Sequence, residues 1–517
     1  MYLILTASKD AYITNKVINN KFRATDANVG HAGTLDLFKL YNESTLSGDV
    51  DVFELSRILI QFDLGSLDAI ASSSMNINAA DFKASLKLFD IMAGQATPSS
   101  FNLVAYPLSQ SFDEGIGRDV ASFGDLGTVN FITASYSNAA SNTWYATGAN
   151  SGGYLNTAPD REHDYITSGT LDVAGQVDFG ITQFFKNGSE NLDLDVTTVL
   201  SGVLDGRIPD HGFRISFSGS EETDIKTRFV KRFASRHSSN PYAVPQLHLS
   251  WDDSIVDNHN DFLFDVTGSL FLNNYHRGIP SDILSGAGHG ALNGTDCMKL
   301  TLEVQDFSQT FDVSSRTAGT QLADDAGVYS TSFAISVSDA TDVNSTGIKL
   351  KDLLNKSGSV TFKEYWISSD TTQGYHTGSL VIKPPQRSSY NFNPSDLLFR
   401  FTNLNQQYKK GDIVALNVFI EDRKATQKAS KLPYNIKSVT LSNVFYRVRD
   451  AYTGEVIIPF MQTNNSTRLS SDSSGMYFKF RMESLSAGKV YIFDILITDY
   501  GLNKVYEGVS GKFRVVE

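Results

Sequence analysis

The chain has 517 residues, 41% hydrophobic and 20% charged, with 34 Phe and 22 Tyr, which is about three domains' worth of chain and too aromatic to be disordered throughout. A net charge of −13 disfavours a dedicated nucleic-acid binder, because phosphates require a basic footprint. No apolar run approaches the ~20 residues of a membrane-spanning helix, and the single cysteine, Cys297, excludes an intrachain disulfide.

The opening stretch, Met1 to Asp10, lacks the basic n-region and long apolar core of a secretory signal. It reads as the first strand, and assembly in the cytoplasm without a Sec-type leader is expected. Period-two patterning then dominates. Ile58, Ile60, Phe62 and Leu64 alternate with Arg57, Gln61 and Asp63. One helix follows, with Val196, Val199, Leu200, Val203 and Leu204 at helical spacing, Asp195 as a cap, and Gly206 and Pro209 as its stop. Alternation resumes at Phe213, Ile215 and Phe217, and at Leu247, Leu249 and Trp251.

The same pattern continues at Leu300, Leu302 and Val304, then at Phe333, Ile335 and Val337. A short helical turn around Leu353–Asn355 interrupts it. Trp366 shares a strand face with Val360, Phe362 and Glu364, and reads as core. Val414, Leu416, Val418 and Ile420 alternate next, then Met476, Phe478, Phe480 and Met482 against Tyr477, Lys479 and Arg481. Side chains alternate faces along a strand, so each stretch has one core face and one wet face, as in antiparallel sheets.

The predicted fold is all-β: a jelly-roll-like β-sandwich over 1–253, a smaller immunoglobulin-like sandwich over 254–388, and another over 389–517. The first boundary follows Trp251-Asp252-Asp253, and the second follows Lys383-Pro384-Pro385-Gln386, where paired prolines cannot continue a central strand. The stretch from Gly286 to Gly294 reads as a loop.

The search for chemistry is mostly negative. There is no G-x-S-x-G elbow, Walker A loop or H-E-x-x-H. The nine histidines show no ligand spacing. No catalytic group is nominated, and a non-enzymatic protein without a cofactor is expected. Asp113, Glu114, Asp119 and Asp125 lie in one loop-like segment and are calcium candidates, oxygen-rich loops being what calcium selects; a solvated loop offset by Arg118 is the competing reading. Trp144 and Tyr145 are candidate contacts for a sugar or another subunit, against packing of Trp144 over the edge of its own sandwich. Arg228, Lys231, Arg232 and Arg236 form the one basic stretch, either a guarded strand edge or a contact for an acidic neighbour.

Several stretches in order resemble the DNRLRE-type (disaggregatase-related) β-sandwich module: Ser8-Lys9-Asp10-Ala11-Tyr12-Ile13, Asn28-Val29-Gly30, Ser56 to Asp63 ending in Phe62-Asp63, Ser111-Phe112-Asp113-Glu114-Gly115 with Phe where the module has Trp, Leu194-Asp195-Val196-Thr197, His211-Gly212-Phe213, Phe233-Ala234-Ser235-Arg236, and Pro245-Gln246-Leu247. The resemblance covers about half the chain and implies a binding or structural module without catalytic residues. The remainder resembles virion structural proteins of tailed bacteriophages, particularly large marine myovirus-like ones, at Gly268 to Asn274, Val444 to Asp450, Thr453 to Phe460 and Ser466 to Phe478.

These resemblances imply a virion component of head, neck, tail or baseplate, assembled in the host cytoplasm. Its partners would be other virion proteins and copies of itself in a symmetric assembly, with no nucleic acid and no membrane. A carbohydrate-binding, adhesive host-recognition protein is the alternative, with a glycan as ligand.

Overall fold

The computed structural model describes all residues except 44–51, 66, 68–74, 92–96, 123, 126, 138–139, 156–162, 172–174, 278, 286–289, 317–325, 386–396, 424–437 and 500–501. The predicted boundary at 388 and part of the Gly286 to Gly294 loop therefore lie outside the described residues. Strands make up 48% of the chain, so it is all-β, a multi-domain protein of sandwich architecture. No described helix is long and apolar enough to cross a membrane. Two compact units divide the chain: Leu3–Asp68 with Ile77–Ser250, and Trp251–Glu517 with Met1–Tyr2 and Ala69–Asn76.

The first unit is built on ten strands: β1 (Tyr2–Thr14), β2 (Thr34–Tyr41), β3 (Phe53–Phe62), β4 (Lys83–Leu88), β5 (Phe101–Pro107), β6 (Ile181–Phe185), β7 (Leu192–Asp195), β8 (Phe213–Phe217), β9 (Arg228–Ala234) and β10 (Gln246–Ser250). Their order is β6-β5-β8-β3-β1-β10-β4-β7, with β2 joining β3 and β9 joining β2. In the β1–β3 ladder Asp10 pairs with Ile60, Ala11 with Leu59 and Tyr12 with Ile58, and the register slips between Ala7 and Lys9. Such a bulge re-aims the side chains that follow it.

Helix α1 (Thr197–Leu204) buries Val199 and Leu200; its N-cap is Val196 rather than the predicted Asp195, which stands one residue earlier and whose Oδ1 accepts from the Thr197 amide at 3.0 Å. One core cluster gathers Ala11, Ile13, Leu59, Leu108, Phe112, Phe131, Ala134 and Trp144. It packs the segments around Phe112, Phe131–Ala134 and Trp144 against β1 and β3, which fixes where the Glu114 turn sits.

The second unit contains a six-stranded antiparallel sheet of β11 (Gly268–Asn273), β12 (Met298–Val304), β13 (Phe307–Ser315), β14 (Val328–Phe333), β15 (Val360–Ser368) and β16 (Gly374–Ile382), in the order β11-β14-β13-β12-β15-β16. Helix α2 (Leu350–Ser357) is longer than the turn predicted there. It ends at Gly358 in the left-handed region and buries Leu350 and Leu354 in the same core as Trp366, Phe362 and Leu300. Toward the C-terminus, strands Ile413–Asp422 and Gly475–Arg481 pair in one sheet, and Val444–Asp450 and Val490–Asp499 pair in another. Their aromatic side chains meet: Tyr446 stacks on Phe478 at 4.3 Å and Phe493 on Phe513 at 4.9 Å. Rings supplied by both sheets are the core of a sandwich.

Candidate functional site

Residues distant in sequence converge in the first unit on the carboxylate of Glu114. Asn28 builds the platform. Its Nδ2 donates to the carbonyls of Glu114 (2.7 Å) and Val129 (2.8 Å), and its Oδ1 accepts from the amides of Gly117 (2.7 Å) and Gly30 (3.3 Å). The His31 amide then donates to the Gly117 carbonyl at 2.8 Å. One buried amide side chain thereby sews the Asn28-Val29-Gly30-His31 turn to the Glu114-Gly115 turn. Gly115 adopts φ +75°, which suits glycine.

The third component follows β9. The Arg236 amide donates to Oδ2 of Asp10 at 2.6 Å, and Nη1 of Arg236 contacts Oε2 and Oε1 of Glu114 at 3.1 and 3.3 Å. The Asp10 amide donates to Oε1 of Glu114 at 3.0 Å. His237 follows Arg236 and places Nε2 3.5 Å from Oε1 of Glu114, while its ring lies 4.2 Å from that of His31. His31, Glu114 and His237 can each offer a donor atom with all three atoms within 4.8 Å of one another. Among the described residues they are the only such group of three or more His, Cys, Asp or Glu.

The electrostatics are unbalanced. Asp10 is fully buried and its Oδ1 has no hydrogen-bond partner, nor has Nε2 of His237. Burial pushes the Asp10 carboxyl up to about 7; the Arg236 amide resists this and the Glu114 charge adds to it. Burial also lowers His237, against the pull of Glu114 and with the help of the Arg236 charge. Two imidazoles and a carboxylate form a donor set that a transition metal can use.

Asp113, Asp119 and Asp125 do not join Glu114 in a common donor set. Asp119 and Asp125 each serve their own turn, accepting from the Ala121 (2.7 Å) and Gly127 (2.9 Å) amides, and Asp113 reaches across the chain to the Tyr136 amide (2.9 Å). The calcium grouping is corrected accordingly: the structure does not bring the four carboxylates to one point.

The basic stretch is likewise not a free cationic surface. Arg228 forks onto Asp224 at 2.7 and 2.8 Å, and Arg232 onto Asp36 at 2.6 and 2.5 Å. Lys231 is buried against Asp90 and the carbonyls of Gly188 and Glu190. Burial lowers Lys231 even so. With Arg236 on Glu114, all four cations are committed inside the unit. Of the two readings of Trp144, packing within its own unit holds and contact with a partner does not: it is 3% exposed and donates to the Asn130 carbonyl at 2.9 Å. Tyr145 is 65% exposed. It borders an open cavity of about 490 Å³ lined also by Gln110, Asn142, Thr143 and His163.

Sequence reasoning passed over His31 and His237 as scattered. The available signal was their position: each directly follows a stretch, Asn28-Val29-Gly30 or Phe233-Ala234-Ser235-Arg236, that also supplies the platform.

No protein-family model matches the chain, and no curated protein matches it. Solved structures similar to it include a DUF3823 family protein from Bacteroides ovatus (11% identity, 48% of this chain and 99% of that one, TM-score 0.12). They also include three N-terminal domains of the highly immunogenic outer capsid protein of bacteriophage RB49 (9% identity, 49% of this chain and 66% of that one, TM-score 0.12). Likenesses this slight leave the chain described by its own architecture: an all-β protein of several sheets.

Proposed function

We propose that this chain is a non-enzymatic structural component of a tailed-bacteriophage virion, an accessory, adaptor or decoration protein that works through contacts with neighbouring virion proteins and copies of itself. The observation that carries this reading is an exposed aromatic on strand β6 of the first unit. In the described ladders β6 pairs with β5, Gln183 caps its other side by bonding to the Asn191 carbonyl (2.8 Å) and the Asp193 amide (2.7 Å), and Phe184 stands in solvent with 55% of its surface exposed. An exposed phenylalanine of this kind suits a surface that another subunit covers. The resemblance of the 268–478 stretches to virion proteins supports the same reading.

The test is localisation. Mass spectrometry of density-purified particles from the encoding phage, with immunogold labelling by an antibody against the chain, should find it at a fixed copy number per particle. Its absence from washed particles sinks the proposal.

A second reading, glycan binding, is favoured by the open cavity beside Tyr145, where an exposed ring borders amide and hydroxyl side chains. A glycan array probed with the intact chain and with Tyr145→Ala separates the two: binding lost with the ring supports adhesion.

A further inference from the structure

We propose that His31, Glu114 and His237 form a binding site for a divalent transition-metal ion, Zn²⁺ foremost, which fastens three separate segments of the first unit together. This goes beyond the virion reading and does not depend on it.

The donor chemistry selects the ion class. Calcium and magnesium take oxygen ligands, whereas imidazole nitrogen suits zinc and its neighbours. Zinc holds His nitrogen and carboxylate oxygen at about 2.1 Å in tetrahedral geometry, so two of its ligand atoms lie about 3.4 Å apart. Nε2 of His237 and Oε1 of Glu114 are 3.5 Å apart, and the three donors lie within 4.8 Å of one another. A side-chain adjustment on the order of an ångström closes the set around an ion.

The hydrogen bonding points the same way. Nε2 of His237 is shielded from solvent and faces the carboxylate without forming a hydrogen bond. Native structures seldom leave such an atom unsatisfied, and a bound ion is one of the ordinary explanations. The guanidinium of Arg236 bonds Glu114, whereas Asp10 is met by the Arg236 backbone amide, which carries no charge.

Metal-bound carboxylates are held by outer partners, and Glu114 already is. The Asp10 amide fixes Oε1, while Asp10 in turn holds the Arg236 amide next to His237. His237 is 25% and Glu114 14% exposed, so the site is shielded yet reachable.

The intact chain, stripped with a chelator, is titrated separately with Zn²⁺, Co²⁺ and Ca²⁺. One equivalent of Zn²⁺ should bind, melting should shift upward with free zinc, and Co²⁺ should give the visible absorption of a low-symmetry nitrogen–oxygen site. Loss of an outer partner costs about 10- to 100-fold in metal affinity, so His31→Gln or His237→Gln should weaken zinc at least about 100-fold while retaining a strand-rich circular-dichroism spectrum. Should both variants misfold, X-ray absorption of the zinc-loaded wild type decides, because two imidazoles are required in the ligand shell. No zinc binding, equal binding by His31→Gln, preference for Ca²⁺, or a shell without imidazole overturns the proposal.

Discussion

Arg57 and Glu222 are paired inside the first unit: Nε of Arg57 donates to Oε1 of Glu222 at 2.7 Å, with the arginine almost wholly buried. Glu222 serves a second arginine as well, since Nη2 of Arg214 lies 3.6 Å from Oε2. The guanidiniums also hold the 148–150 turn, Arg57 through the Gly148 carbonyl (2.6 Å) and Asn150 (2.8 Å), and Arg214 through the Ala149 carbonyl (2.7 Å). Burial, with the neighbouring Arg57 charge, lowers Arg214 to about 10. Burial would raise Glu222, but the two arginines outweigh it and hold the carboxyl below its usual range.

Glu222→Gln leaves two buried guanidiniums facing a neutral amide. Breaking a buried ion pair by removing one partner costs about 3–5 kcal/mol, and urea denaturation of the intact chain should show a loss of that order for the transition that unfolds the first unit. Because the folded carboxyl titrates below its unfolded value of 4.5, this stability is present above that pH and fades as pH falls through the folded value. The variant should therefore flatten the acid limb of the wild-type curve. An unchanged acid limb would refute the assignment.

His259 provides the opposite pH dependence in the second unit. Its Nδ1 donates to Asp257 at 2.7 Å and its Nε2 to Glu364 at 3.2 Å; Glu364 also accepts from Nε1 of Trp366 at 3.2 Å and lies 4.0 Å from Nε2 of His376. Burial opposes the charged ring, yet the two carboxylates prevail and raise His259 to about 10. A group raised on folding contributes stability that is complete below its unfolded value of 6.5 and is lost as pH climbs toward about 10. Thermal melts across that window should show the second unit losing stability on the alkaline side, and Glu364→Gln should shrink the loss. A flat profile between those limits would contradict it.

Phe184 separates assembly from folding. It stands exposed on β6, so Phe184→Ser should change stability by no more than about 0.5 kcal/mol. If the surface around Phe184 is a docking surface, the same change should reduce incorporation of the chain into particles, read by quantitative mass spectrometry of virions carrying it. Full incorporation would move the contact elsewhere on the molecule.

The fold class was legible because period-two alternation is a local signal. Leu247, Leu249 and Trp251 all prove buried, as do Val360, Phe362, Glu364 and Trp366 on one face of β15. Partner choice was not legible. Lys231 finds Asp90, Arg232 finds Asp36 and Arg228 finds Asp224; only the last pair is close in sequence, so the basic run resembled a surface patch. Trp144 lies among Gly, Ser and Asn, a composition that signals a loop, yet that loop folds back so that the indole enters the core. The His31–Glu114–His237 group needs three segments to meet, and spacing within one sequence carries no record of that.

Gly30 tests how tightly those segments are held. A methyl group there would fall 1.9 Å from the Glu114 carbonyl oxygen, which is backbone and cannot rotate away. Gly30→Ala must therefore part the Asn28–His31 turn from the Glu114 turn, with a cost of about 1–3 kcal/mol by analogy with overpacking elsewhere. It also stretches the bonds that Asn28 makes to Glu114 and Gly117, so His31 should drift from Glu114 although none of the three donor residues has changed. Two measurements follow from one variant: a lower melting temperature for the first unit, and weaker zinc uptake than wild type under identical conditions. If stability falls while zinc uptake stays at the wild-type level, the ion binds elsewhere and the close approach of Gly30 to Glu114 is structural alone.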